Sequence, residues 1–313
     1  MGLFLFLILI NKAGFLDLPK NSGFLATSSH KRRVPKKDLH VKFVDDMTVI
    51  EALDLKTTLV ENPNLVRPLQ YRERTGHIIN EQALNMKETL NALKDSSEAH
   101  KMKINIQKTE GMLFNASKSL DFLPKLQIDQ SNELRIVDQH KLLGVIITSN
   151  LSWQAQIDYM CQSAYKRMWI LRRLKYLGAS ITDLVSVYTT QIRCVIEFSV
   201  AVWNSALTEA QICQLERIQR CALSIILSDQ YRDYKTALSQ LNLEVLSVRR
   251  KHLCKTFAVK SAKHPKFASW FCQNDEKLVN TRSKREKYKP VINRTNKYQR
   301  SPLAYLTKLL NEK

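Results

Sequence analysis

The chain has 313 residues, 44% of them hydrophobic, so it can bury a sizeable core, and its length suggests about two domains; a natively disordered chain is excluded. Its 49 Lys and Arg against 29 Asp and Glu leave a net charge of +20, which makes a polyanion, nucleic acid or an acidic membrane, the first partner to consider. The six cysteines, at 161, 194, 213, 221, 254 and 272, show no CxxC pair or zinc-finger spacing and fall mostly among apolar residues at helical spacing, which favours buried thiols over disulfides.

The chain opens MGLFLFLILINKAGF. A secretion signal needs a basic start, an apolar middle and small residues before the cut. Here the first basic residue is Lys12 and no Ala-x-Ala follows, while the apolar run over 3–10 is far short of the roughly 20 residues that span a bilayer. A buried helix or strand is expected instead. Residues 17–37, rich in Pro, Ser, Gly and Lys, read as an exposed basic loop. Over 38–53, Val41 and Phe43, then Met47 and Val49, alternate on one face and predict two strands around Asp45 and Asp46, a hairpin with carboxylates at its tip. Residues 55–80, with Pro63, Pro68 and Gly76, read as a long insertion loop. Helical spacing returns over 81–101, and alternation over 103–114 and 140–148 predicts two further strands. The pattern of residues 1–150 is α+β.

After residue 150 the chain turns helical. Ile157, Cys161, Ala164, Met168, Leu171 and Leu174 share one face over 153–177, opposed by Lys166, Arg167, Arg172, Arg173 and Lys175. Ser180 to Asp183 and Thr208 to Gln211 are capping boxes for helices reaching about residues 203 and 227. Ile212, Leu215, Ile218, Ala222 and Ile225 form the expected core stripe of the second. Further helices are expected over 233–241 and 245–263, giving a helical domain over 151–275. Residues 276–313 form a basic tail: 277–300 hold nine Lys and Arg against one Glu, with Tyr288 and Tyr298 interleaved, and a short amphipathic helix follows. Basic residues can pair with phosphates and tyrosines can stack on bases; a solvated tail is the other reading.

Asp45-Asp46 is the sharpest local signal. Two carboxylates fixed by flanking strands can hold a hard divalent ion such as Mg²⁺, although Asp-Asp is also ordinary turn chemistry. The set around it is more specific: FVDD at 43–46, INIQKTEGMLF at 104–114, HKLLGVIITSNLSWQAQID at 140–158, VYTTQIRCVIEFSVAVW at 187–203 and LERIQRCALSIIL at 215–227. In order and spacing these resemble the reverse transcriptase of a jockey-type non-LTR retrotransposon, over nearly the whole chain. FVDD resembles the palm Asp-Asp motif C, the stretch with Asn105, Lys108 and Thr109 motif D, and 142–145 the primer-grip motif E.

The resemblance implies a partial right-hand polymerase palm, from the end of motif B through motif E, followed by an all-α thumb and C-terminal extension. It implies RNA-templated DNA synthesis with Mg²⁺ and deoxynucleoside triphosphates on an RNA template and DNA primer, in which carboxylates hold two metal ions. Asp45 takes the metal, with Asp46 its less essential neighbour. Lys108 lies near the leaving phosphates, Leu143 and Gly144 form a tight apolar turn against the primer strand, and Lys166, Arg167, Arg172 and Arg173 face the duplex backbone.

The opening run resembles the end of motif B, inside a palm helix. No motif A aspartate strand precedes Phe43, so the chain reads as an N-terminally truncated polymerase with no detectable activity alone. A non-catalytic basic nucleic-acid-binding protein is the alternative. Either is expected inside the cell, nucleus or cytoplasm, without a membrane; a secreted or membrane-inserted protein is the third reading.

Overall fold

The opening apolar run forms a strand, β1 (Phe4–Asn11). In a computed structural model the described residues are 4–11, 39–43, 46–53, 59–61, 77–79, 86–99, 105–114, 132–274, 286–291 and 296–312. They belong to two compact units, Met1–Ser152 and Trp153–Lys313, and the architecture is α+β.

In the first unit, β2 (Leu39–Phe43) and β3 (Asp46–Leu53) pair antiparallel. After β4 (Leu59–Glu61), β5 (His77–Ile79) and helix α1 (Met86–Ala99) come β6 (Glu110–Phe114), β7 (Arg135–Ile136), β8 (Gln139–Leu142) and β9 (Val145–Thr148). The main sheet has the order β2-β3-β1-β6-β7, antiparallel except for the last pair. β1 lies at its centre, which explains why the expected palm helix is absent. A run whose one polar residue, Asn11, comes last makes a poor amphipathic helix but suits a strand bonded along both edges.

Other expectations are corrected locally. The stretch over 55–80 is not all loop, since β4 and β5 pair antiparallel. The register sets Val41 opposite Thr48 and Phe43 opposite Asp46, so Met47 and Val49 occupy the alternate face rather than sharing one with Val41 and Phe43. The strand expected over 103–114 begins at Glu110. Before it, Ile106–Lys108 form a 3₁₀ turn in which the Asn105 side chain accepts from Lys108 N and the Thr109 hydroxyl donates to Asn105 O at 2.9 Å. Such local side-chain bonds compete with a sheet ladder. Met112 is fully buried against Phe114, Val137, Leu142 and Ile147.

The helical unit contains α2 (Gln154–Tyr176), α3 (Ile181–Val187), α4 (Cys194–Glu197), α5 (Val200–Trp203), α6 (Glu209–Leu227), α7 (Tyr234–Gln240), α8 (Leu246–Lys263), α9 (Asn296–Gln299) and α10 (Pro302–Asn311). α2 buries Ile157, Cys161, Ala164, Met168 and Leu171 as its spacing requires, with Leu174 only half-buried. It ends at Gly178, whose φ of 81° is the left-handed geometry that glycine tolerates. Both capping boxes form their N-caps at Ser180 and Thr208.

The helix expected to run to Trp203 is interrupted twice. Tyr188–Arg193 is π-helical, and Ser199, at φ 51°, breaks the chain between α4 and α5. On α6, Ile212 and Ile225 are half-buried, whereas Glu216 and Gln219 are buried in the core. All six cysteines are free thiols; Cys161 and Cys254 are buried, but Cys194, Cys213 and Cys272 are exposed. Tyr288, expected in an open tail, is buried edge-on to Phe271 with its main chain bonded to Asn311. Leu306 and Leu309 dock α10 into the same core.

Buried polar groups join four elements of this core. The Glu216 carboxylate accepts from Ser247 N at 2.8 Å, Leu246 N at 3.4 Å and the Tyr234 hydroxyl at 2.5 Å. Gln219 donates to Tyr234 and to Glu244 O, and accepts from Tyr188 of the π turn at 2.6 Å. Burial pushes both tyrosines far above their ordinary range. Glu216→Ala strips the N-terminus of α8 and Tyr234 of their acceptor and is expected to cost about 3 kcal/mol. Tyr188→Phe, which orphans only Gln219, should cost about 1–2 kcal/mol. Urea unfolding followed by the helical signal measures both.

Candidate functional site

The expected metal-binding pair falls in sequence between the end of β2 and the start of β3. Asp45 lies outside the described residues; Asp46 is the first residue of β3, opposite Phe43 of β2 and Asn11 of β1. On the far edge of β1, Leu9 pairs with Glu110. The start of β3 and the 3₁₀ turn that carries Lys108 therefore sit at one end of the sheet, on either side of β1. They are separated by two strand spacings, roughly 9–10 Å. Lys108 is exposed there, while neighbouring Thr109 is buried.

The fit to a divalent ion is incomplete. The residue of β1 level with Asp46 is a neutral Asn, and β1 has no acidic residue. Among the described residues no group of three or more His, Cys, Asp or Glu could hold a metal ion. Hard cations such as Mg²⁺ require an octahedral set of oxygen ligands, and the described residues do not supply one.

A charged cluster that no motif or periodicity marks lies at the start of β6. Glu110 bonds to His140 Nδ1 at 2.6 Å and to the Arg135 guanidinium. Burial pushes the Glu110 carboxyl up, but the hydrogen bonds from His140 and Arg135, reinforced by their charges, hold it below its ordinary value. The cluster joins β6, β7 and β8. Gly111 fits the same region because a Cβ there would meet Ile136 and Leu134 at 2.8 Å.

Leu143 and Gly144 form the two-residue turn between β8 and β9, so the single strand expected over 140–148 is a hairpin. Both residues have positive φ, 48° and 84°, the signature of a type I′ turn. Asn or Gly normally occupies the first of these positions. Leucine pays about 1 kcal/mol of strain there, and its side chain is 48% exposed.

The four basic residues of α2 expected to face a duplex separate into two groups. At 3.6 residues per turn, Lys166, Arg172 and Arg173 fall within an arc of roughly 120° opposite the buried face, together with Tyr165, Trp169 and Tyr176. All six are exposed. Arg167 lies on the flank, where its guanidinium donates to Gln191 O of the π turn at 2.6 Å. That contact sets Arg167 apart from the other three: π geometry breaks the regular helical ladder, and Arg167 satisfies a carbonyl within the break. Lys175 is similarly committed, to Ile226 O near the end of α6. Arg217 of α6 lies close enough to Tyr165 to lower its pKa, although burial raises it overall.

Among the described residues, no helix is long and apolar enough to cross a membrane. No protein-family model, curated protein or solved structure matches this chain.

Two outcomes are expected from this geometry. The folded pKa of Glu110 is below the unfolded one, so its cluster stabilises the sheet fully above the ordinary carboxylate value of 4.5. That contribution disappears as pH falls through the depressed value. Acid titration of the β-sheet signal should therefore show a loss of stability that Glu110→Gln largely abolishes. Leu143→Asn relieves the positive-φ strain and should stabilise the hairpin by about 0.5–1 kcal/mol, read as slowed amide exchange in β8 and β9.

Proposed function

We propose that this chain is palm and thumb material of a non-LTR type reverse transcriptase and that, by itself, it binds nucleic acid without extending a primer. The carrying observation is the common sheet end at which Asp46 and Lys108 flank β1. A polymerase palm needs its metal-binding carboxylate, which the resemblance assigns to Asp45 just before Asp46 in sequence, and a cation for the leaving phosphates at such an end. The order of the elements supports the same reading: a carboxylate hairpin, a helix, a strand, a tight-turned hairpin, then helices with a basic outward face.

The register of β1 supports the reading that the chain does not extend a primer. Two-metal chemistry needs carboxylates on adjoining strands to hold ions about 3.5–4 Å apart, and the strand beside β3 offers Asn11 at the level of Asp46. Mg²⁺ chemistry on deoxynucleoside triphosphates would require acidic ligands from elsewhere. Binding has no such requirement. Lys166, Arg172 and Arg173 stand together on an exposed helix face, suited to the phosphates of an RNA template and DNA primer.

The test combines binding and extension on one labelled RNA–DNA template-primer. The full chain is expected to bind with steep salt dependence and to yield no product with Mg²⁺ and all four deoxynucleoside triphosphates. Replacing Lys166, Arg172 and Arg173 together by Gln should weaken binding and reduce the salt slope by about 2–3, one unit per lost phosphate contact. Extension that disappears in Asp45→Ala would overturn the non-catalytic reading; absence of binding at low salt would overturn the whole proposal.

A further inference from the structure

Resting on that nucleic-acid reading, we propose that the outward face of α2 is a stacking platform for single-stranded nucleic acid, with Trp169 and Tyr176 receiving bases and Lys166, Arg172 and Arg173 pairing with the phosphates. Trp169 is 62% exposed and Tyr176 81% exposed, although the opposite face of the same helix packs Ile157, Ala164, Met168 and Leu171 with no exposure. The helix thus has its full core stripe without these rings, which lie outside the hydrophobic core cluster.

The two rings are seven positions apart in sequence, placing them on one side of the helix and roughly 10 Å apart along it. That distance matches about three base steps of 3.4 Å in a stacked strand. Arg173 stands between them in sequence with its guanidinium 5.6 Å from the Tyr176 ring centroid, where one side chain can brace the ring and reach a phosphate. Lys166 lies one turn before Trp169, and Arg172 flanks Tyr176 four residues earlier. The face therefore alternates cation and ring along its length, as a strand alternates phosphate and base.

The form of the ligand follows from which surface each side chain can use. A duplex hides the faces of its bases against one another and presents phosphates to the cations alone, so it gains nothing from either ring. Bases of a single strand have open π-faces, and stacking on aromatic side chains is tolerant of sequence. An acidic membrane is disfavoured by the arrangement: interfacial helices segregate an apolar face from a basic one, whereas here Arg172 and Arg173 share the arc of Trp169 and would be carried into the hydrocarbon boundary with it.

The experiment titrates the full chain with a fluorescein-labelled oligothymidylate, with a duplex of equal length, and with vesicles of phosphatidylcholine and phosphatidylserine. Trp169→Ala is expected to lower single-strand affinity by roughly tenfold or more, and Trp169→Ala with Tyr176→Ala by roughly a hundredfold. Duplex affinity should change less than about twofold, and Trp169→Phe should recover most of the single-strand binding, because the ring rather than the indole N–H does the stacking. Equal losses on single strand and duplex would overturn the platform but leave the nucleic-acid reading standing. Unchanged single-strand affinity in the double variant would do the same. No binding to either nucleic acid would overturn both, and vesicle binding that the double variant abolishes would reassign the face to a membrane.

Discussion

The helical unit depends on one carboxylate buried where three helices converge. α8 begins at Val245, which has no side chain able to cap it, so its first amide groups rely on Glu216 of α6. The same carboxylate accepts from Tyr234 of α7. A helix N-terminus favours negative charge, and the guanidinium of Arg250, buried to 2% exposure, contributes a compensating field from the first turns of α8. Burial drives the Arg250 pKa down and the Glu216 charge opposes it. Asn204 takes a hydrogen bond from Arg250 at 3.0 Å and links this centre to the end of α5. These bonds tie α6, α7, α8 and the end of α5 to one another, so each depends on the helices being in place together.

The sheet unit has a different organising constraint. β1 is bonded on both edges, and its register fixes where β3 and β6 begin. Asp46 and the turn carrying Lys108 share one end because of that register, without any direct bond between them. At the other side of the sheet, Glu110 joins Arg135 and His140. Charge is thus used in this unit to fasten strands, while in the helical unit it also finishes backbone: Arg167 on Gln191, Lys175 on Ile226 and Lys255 on Glu312 each donate to a carbonyl. The formal charge of +20 consequently overstates the cations presented to a polyanion.

Much of the helical unit was legible in sequence because local signals and periodicity agree there. The spacing of Ile157 through Leu171 located α2's buried face, and Ser180 and Thr208 marked two helix starts that depend only on residues three positions away. Glu216 and Gln219 were not legible, since a polar residue beside a core stripe reads as solvent-facing until distant partners such as Ser247 and Tyr188 are brought to it. The same is true of Arg167, whose partner lies 24 residues away. In the sheet unit, alternation found the β2–β3 hairpin but misassigned the face shared by its two strands. Periodicity cannot fix a cross-strand register, and it cannot decide whether a short uniformly apolar run is a strand or a helix. Leu143 and Gly144 were legible as a turn only through resemblance, since leucine at positive φ contradicts its own propensity.

The π turn at Tyr188–Arg193 has a consequence for chain length. Such a turn accommodates one residue more than an α-helix over the same rise. Leu184 before it and Ile196 after it both face the core, so the surplus is absorbed between them rather than passed on. A single-residue deletion confined to Thr189–Gln191 can close the segment to ordinary α-helix and leave both flanking faces in phase. The same deletion in α6 ahead of Glu216 would rotate every following residue by about 100° relative to the start of the helix and take Glu216 out of phase with the Thr208 cap.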